Sequence, residues 1–487
     1  MSAPLGRPRV VRAGLLSMVG LVALGLTRLV HISLVGRATD KPTVALVGTL
    51  IGVATTAGLF LPGGLASAAS KFIPFHRGKG DAGTARAVHQ LLSWSGIVTA
   101  VALGAVVGAG TGVLLDLSPA DTVAVSVLTA VFSVYSIEKG ALYGFDRIAP
   151  YARLEIAGSV VAIGSTVVVV TVGGHAYLAP LILGYSVLIV GAWVLLRRRH
   201  SHSDSAVRVG RPDRREITEF VLLASAGGLA SAGLLQLLPL LARWFTTEDE
   251  VSYFVTGVAL VAPLYFLPRA LGMALFPAMA HAHGSGDVDA VRRQADLSTR
   301  ALLVLLAPLF AAAIPLAREA LVLVMGAKYA AGALVLQLLL LATYFAVIQV
   351  AAVNALSSGT RREVRIPVFC AVAGALLGLL LLVPLGLWLG GTGVALAYLI
   401  ATGAGAAGPI VATWRRYRMA WAGPLIRALV VMVVGLAVGL AAEASGVTGA
   451  VRVLADIGLA VGVAGVGAIV LHRDIRRILT AAPSRRS

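Results

Sequence analysis

Charge is what this sequence has least of. Asp, Glu, Lys and Arg make up 13% of its 487 residues, about half of the ~25% found in an average soluble domain. An ordinary water-facing globule is excluded. Acids are scarcer than bases, 22 against 40. A single cysteine, Cys370, excludes an intramolecular disulfide framework. It sits in an apolar run and reads as an inert core thiol. There is no GxxxxGK[ST] phosphate loop anywhere in the chain, so nucleotide-driven chemistry of that type is excluded. The outer connections are short and carry no DxD, which argues against a membrane glycosyltransferase, polymerase or ligase. No catalytic residue and no cofactor is expected.

What the chain has in abundance is apolar length. Hydrophobic residues reach 58%, in runs such as AGLLSMVGLVALGLT (13–27) and AVAGALLGLLLLVPLGLWLGG (371–391). A bilayer span needs about 20 apolar residues at 1.5 Å rise each. The sequence predicts an all-α polytopic membrane protein with about fourteen spans. They fall near 13–36, 42–69, 88–115, 119–140, 151–173, 176–196, 217–242, 251–279, 298–317, 333–356, 364–386, 391–413, 424–442 and 450–471. The Arg-rich start MSAPLGRPRVVR has the flank of a signal sequence. The apolar stretch behind it is too long and lacks a clean cleavage site, so it reads as a retained first helix.

Orientation follows from the loops. With the N-terminus in the cytoplasm, 32 of the 40 Lys and Arg fall on the cytoplasmic side and six outside, while Arg28 and Arg269 remain within spans. The bias obeys the positive-inside rule at every crossing and predicts both termini inside. The net charge of +18 is thereby a topology signal and needs no nucleic-acid partner. It does predict contact with anionic membrane lipids on the cytoplasmic face.

The chain also repeats itself. FLPGGLASAASKFIPFHRGKGD (60–81) returns as FLPRALGMALFPAMAHAHGSGD (266–287), and out to Arg86 and Arg292 nine of 27 positions are identical. A weaker echo pairs ALYGFDR (141–147) with ALSSGTR (355–361). The first pair lies six spans apart, so the repeats run parallel, about an axis along the membrane normal. The expected division is an N-terminal six-helix lobe (1–196), a basic cytoplasmic inter-lobe loop (197–216) and a C-terminal six-helix lobe (217–418). Accessory helices 13–14 and a basic tail (419–487) complete the chain. Pro62, Pro268 and Pro277 are expected to kink their helices and mark a gate or pathway.

Polar groups inside the spans are the candidate site. A cation at bilayer depth costs at least about 2.5–3.5 kcal/mol on insertion scales, so it faces a cavity or a partner, or it snorkels to an interface. Arg28, with His31 one turn on, and Arg269, next to Pro268, are open to both readings. Gln236 and Asn354 are candidates to line a cavity, with interhelical hydrogen bonding as the alternative. Asp456 is a possible ion-coupling acid, or half of a structural pair with Arg452 at i−4. Glu138 and Glu155 are expected at the cytoplasmic interface. Embedded cations with few carboxylates point to an anionic cargo, and arginine's planar fork suits phosphate.

The motifs FLPRALGMALFPAMAHAHGSGD, MGAKYAAGALVLQLLLLA (325–342) and NALSSGTRREV (354–364) resemble the polysaccharide-biosynthesis branch of the multidrug/oligosaccharidyl-lipid/polysaccharide flippase superfamily. So does FLPGGLASAASKFI (60–73). The resemblance spans roughly residues 13–420. It implies a V-shaped, alternating-access flippase of the bacterial cytoplasmic membrane. Its cargo would be a polyprenyl-diphosphate-linked glycan, and other polysaccharide assembly proteins are implied partners. Fourteen spans is similar to the lipid II flippases, whose cavity arginines in spans 1 and 8 correspond to Arg28 and Arg269. An ion-coupled multidrug exporter of the same superfamily is the first alternative; the signature GxxxDRxGRR of a major-facilitator transporter is absent between spans 2 and 3.

Overall fold

The computed structural model describes residues 7–78, 80–197, 209–229, 233–265, 287–447 and 449–481, with Leu275, Met279 and Ala282. Arg269, Pro268 and Pro277 lie outside the described residues. Among the described residues there is no strand. The helices are α1 (Arg7–Ala38), α2 (Lys41–Leu59), α3 (Leu61–Gly78), α4 (Ala82–Leu114), α5 (Pro119–Gly144), α6 (Ile148–Thr171) and α7 (Ala179–Arg197). They continue with α8 (Arg211–Gly228), α9 (Leu234–Ala242), α10 (Glu248–Val261), α11 (Val288–Ala313) and α12 (Ala317–Val324). The last are α13 (Ala333–Ile348), α14 (Val350–Ser357), α15 (Arg361–Tyr417), α16 (Ala422–Ala444) and α17 (Gly449–Ala481).

Ten helical stretches of the described residues are long and apolar enough to cross a membrane. Their packing is inverted relative to a soluble helix. On α4 the outward positions are Val98, Val101, Val106 and Val113, all exposed. The inward ones include Gly104 and Gly108, which lie against Ser126 of α5. Large apolar groups meet lipid while small residues let helices approach, because lipid supplies no hydrophobic drive between helices.

Local sequence sets the helix ends. Asp40 caps α2 by accepting from Thr43 N (3.0 Å), and Asp81 caps α4 by accepting from Thr84 N (2.8 Å). Thr247 and Glu250 form a capping box on α10, and Asp287 caps α11 by accepting from Ala290 N (2.8 Å). Each satisfies a backbone donor that the helix cannot. Between α2 and α3 the helix breaks at Phe60, whose ψ is −124°. Pro62 occupies the second position of α3, where a missing N–H has no intrahelical bond to lose.

The element α15 is two helices. Its 57 residues as one straight rod would run to about 86 Å at 1.5 Å per residue. Gly390, with φ 58° and ψ −138°, breaks the helical path. Beyond it the chain folds back, so that Gly374 lies on Ala401 and Gly408 on Cys370. The break falls between the two spans expected at 364–386 and 391–413. Cys370 is free and half-buried in this hairpin.

The chain forms two compact units, Met1–Leu241 and Ala242–Ser487. The division falls past the polar segment 197–216, because α8 packs on α3. Gly64 of α3 makes that approach possible, lying against Val221 and Ser225 of α8. In the first unit α5 is central, packing on α2, α3, α4 and α7, while α1 lies on α6. In the second, α16 and α17 both pack on α11.

Candidate functional site

The first unit holds a polar core that crosses four helices. Arg28 on α1 donates its Nε–H to the Tyr185 hydroxyl of α7 at 3.2 Å. Its guanidinium lies 5.3 Å from the centre of the Phe132 ring on α5, a cation–π distance. Tyr135, one turn further along α5, donates to both oxygens of Glu155 on α6, at 3.0 and 2.9 Å. Lys139 follows, with Nζ 3.5 Å from the Tyr135 hydroxyl. Tyr135 and Tyr185 are in ring contact at 4.7 Å. Two cations and one carboxylate thus share an aromatic cage, beside a void of about 10 Å³ lined by Thr27, Tyr135, Glu155 and Tyr185. That space sits at the lower limit for one water.

His31 points into the same unit. It is fully buried, and its Nδ1 lies 2.8 Å from the Thr166 hydroxyl. Thr166 donates its own proton to Ala162 O at 2.7 Å, so the hydroxyl accepts and His31 carries its proton on Nδ1. Nε2 is then a buried lone pair without a partner. Gln236 is placed against α2 and accepts from the Thr55 hydroxyl at 3.3 Å. Arg28, His31 and Gln236 all meet partners within the first unit.

Glu138 and Glu155 are both shielded from solvent by the surrounding protein. They are 1% and 4% exposed. Glu138 accepts from Ser93 at 2.7 Å and lies 3.3 Å from Nε2 of His89. The hydrogen-bond donors are the reason both carboxylates can be buried. They come from other helices, and the local sequence around either acid shows no sign of them. The first unit therefore holds two buried carboxylates, each bonded across helices.

The second unit has its own ionic cluster where α12, α16 and α17 meet. Arg452 pairs with Asp456 at 3.2 Å, Glu443 at 2.7 Å and Glu319 at 3.7 Å. Arg318 adds a contact to Glu443 at 3.3 Å. Asp456 is 2% exposed, so the i−4 pair with Arg452 is present and belongs to a larger network. Burial first, then the facing Asp456 carboxylate, push the Glu319 carboxyl up to about 7. At the opposite end of α16 and α17, Arg427 pairs with Asp474 at 2.7 Å. The two helices are clamped to each other at both ends. Asn354 lies on α14 with a buried, unpartnered Nδ2, in a different unit from Arg28 and Gln236. Among the described residues no group of His, Cys, Asp or Glu could hold a metal ion.

No family model matches the sequence, and no curated protein is similar to it at a significant level. The fold, however, is shared with solved structures. The lipid II flippase MurJ, in an inward closed conformation, is 14% identical with a TM-score of 0.66, over 95% of this chain and 100% of that one. An inward-facing multidrug resistance MATE family transporter of the MOP superfamily is 17% identical with a TM-score of 0.58, over 82% and 98%. A MOP superfamily transporter from Pyrococcus furiosus, described by a binding pocket of reverse polarity, is 17% identical with a TM-score of 0.52, over 84% and 95%. The chain shares the all-helical fold of these structures.

Proposed function

We propose that this protein is a flippase that carries a polyprenyl-diphosphate-linked oligosaccharide from the inner to the outer leaflet of a bacterial cytoplasmic membrane. The observation that carries the reading is the reach of the structural likeness. It covers 95% of this chain against the lipid II flippase and 82% against the multidrug transporter. In this reading fourteen spans run N-in and C-in, as two parallel lobes with an accessory pair, and Arg28 and Arg269 supply positive potential along the path.

The physics is that of solvent substitution. A diphosphate-sugar headgroup cannot cross hydrocarbon unaided, since its charges and hydroxyls would lose their hydration. A cationic path replaces water while the prenyl tail stays in lipid. A potential negative inside favours outward anion movement by about 2.3 kcal/mol per charge per 100 mV. The test is transbilayer movement of a fluorescent polyprenyl-diphosphate oligosaccharide in proteoliposomes. Wild type should move it; Arg28→Ala and Arg269→Ala, with folding intact, should move it at least tenfold more slowly. No movement by wild type overturns the reading.

A second reading has its own observation. The buried carboxylates Glu138 and Glu155 are groups an ion-coupled exporter of small cations would use. Counter-ion-driven efflux of a cationic dye from the same proteoliposomes, lost in Glu155→Gln, would favour it.

A further inference from the structure

Where α11 and α16 begin, the second unit opens a pocket of about 300 Å³ lined by Asp289, Arg292, Arg293, Asp296, Arg300 and Arg418. Not all of these charges are available. Asp296 accepts from Arg300 Nε at 2.9 Å and from the indole Nε1 of Trp421 at 2.7 Å. Arg300 is held further by the Ala420 carbonyl at 2.8 Å. This locked trio forms a wall and cancels its own charge. Among the described residues Arg293 pairs with Asp287, at 4.0 Å. Arg292 and Arg418 make no ion pair among the described residues, and both are exposed. With Asp296 taken up by Arg300, three arginines share two carboxylates, Asp289 in the pocket lining and Asp287 at 4.0 Å from Arg293.

The position along the helices says what such a pocket meets. Directly after Arg300, α11 continues as ALLVLLAPLF, and directly after Trp421, α16 continues as AGPLIRALVVMVV. Both helices enter apolar sequence within a turn or so of the pocket, which places it at headgroup depth. Arg418 ends α15 at φ 50°, the left-handed turn in which helices commonly end.

We propose that Arg292, Arg293 and Arg418 form a binding site for a phosphate group at the membrane surface, that of an anionic lipid headgroup or of a soluble phosphate. Guanidinium forks donate two parallel hydrogen bonds to phosphate oxygens, and basic pockets between membrane helices suit such headgroups. The site is separate from the polar core of the first unit and does not depend on which cargo the protein carries.

The test uses the full chain in phosphatidylcholine nanodiscs and reads the rise in melting temperature with ligand, since anything that binds the folded state alone raises it. One arm titrates dihexanoyl phosphatidylglycerol and the other inorganic phosphate. A rise in either supports the site, and the arm that responds at lower concentration identifies the source. Arg292→Ala/Arg418→Ala should weaken that response at least tenfold. Arg365→Ala/Arg415→Ala removes as much charge from exposed positions outside the pocket and should leave it unchanged. Equal loss in both double variants would reduce the effect to diffuse attraction and overturn the site, as would no response to either ligand.

Discussion

The hydroxyl of Tyr135 bonds both oxygens of Glu155, at 3.0 and 2.9 Å, and so ties α5 to α6 in the interior of the first unit. Removing that hydroxyl leaves a buried carboxylate short of a donor, which costs about 1–3 kcal/mol. Tyr135→Phe is expected to lower the melting temperature measurably. Adding Glu155→Gln removes the charge that the hydroxyl served and should recover part of the loss. A double variant no more stable than Tyr135→Phe alone would show that the loss lies in packing.

The ionic cluster of α12, α16 and α17 predicts a pH dependence. The Glu319 carboxyl is pushed up from 4.5 to about 7, so the folded state holds this proton more tightly than the unfolded chain does. The associated stability is fully present below about pH 4.5 and is lost as pH rises through about 7. Arg318, Glu443, Arg452 and Asp456 are the charged groups around it. Glu319→Gln should melt like wild type near pH 5 and at a higher temperature near pH 8. Parallel melting curves across that range would contradict the assignment.

Gly390 predicts a backbone effect. Its φ of 58° and ψ of −138° lie in a region almost reserved for glycine, and the Glu250 carboxylate fills the space where a Cβ would stand. Gly390→Ala is expected to cost about 1–3 kcal/mol from backbone strain alone. Gly386→Ala, four residues earlier within the helical arm, is the comparison and should cost less. The readout is the melting temperature in detergent.

The repeated cap offers a paired test. Asp81 N bonds His76 O at 3.0 Å and Asp287 N bonds Ala282 O at 2.9 Å, so both copies of the motif close the same turn before the same cap. Asp287→Ala should destabilise by about 1 kcal/mol, while Asp287→Ser keeps a side-chain acceptor and most of the stability. Denaturation midpoints of the two variants decide this.

These caps show how far the sequence reaches. An Asp three residues before the backbone donor it accepts from is a local fact, so helix starts such as those at Asp40 and Asp81, and the break near Pro62, were legible in the sequence. So was the membrane class, because long apolar runs leave only helices as a way to satisfy the backbone in lipid. The pair of Arg452 and Asp456 was visible too, since one helical turn separates them.

Tertiary structure decided everything whose partner lies far along the chain. Glu138 needed Ser93 and His89, which nothing near it in the sequence announces. Glu155 needed Tyr135, and Arg28 needed Tyr185 and Phe132, each on another helix. The direction in which an embedded charge points depends on which face its helix turns to its neighbours. In an apolar helix that face is hidden from the sequence, because lipid and protein interior select similar side chains. Only packing separated them here: the small residues turned inward, and the polar groups went with them.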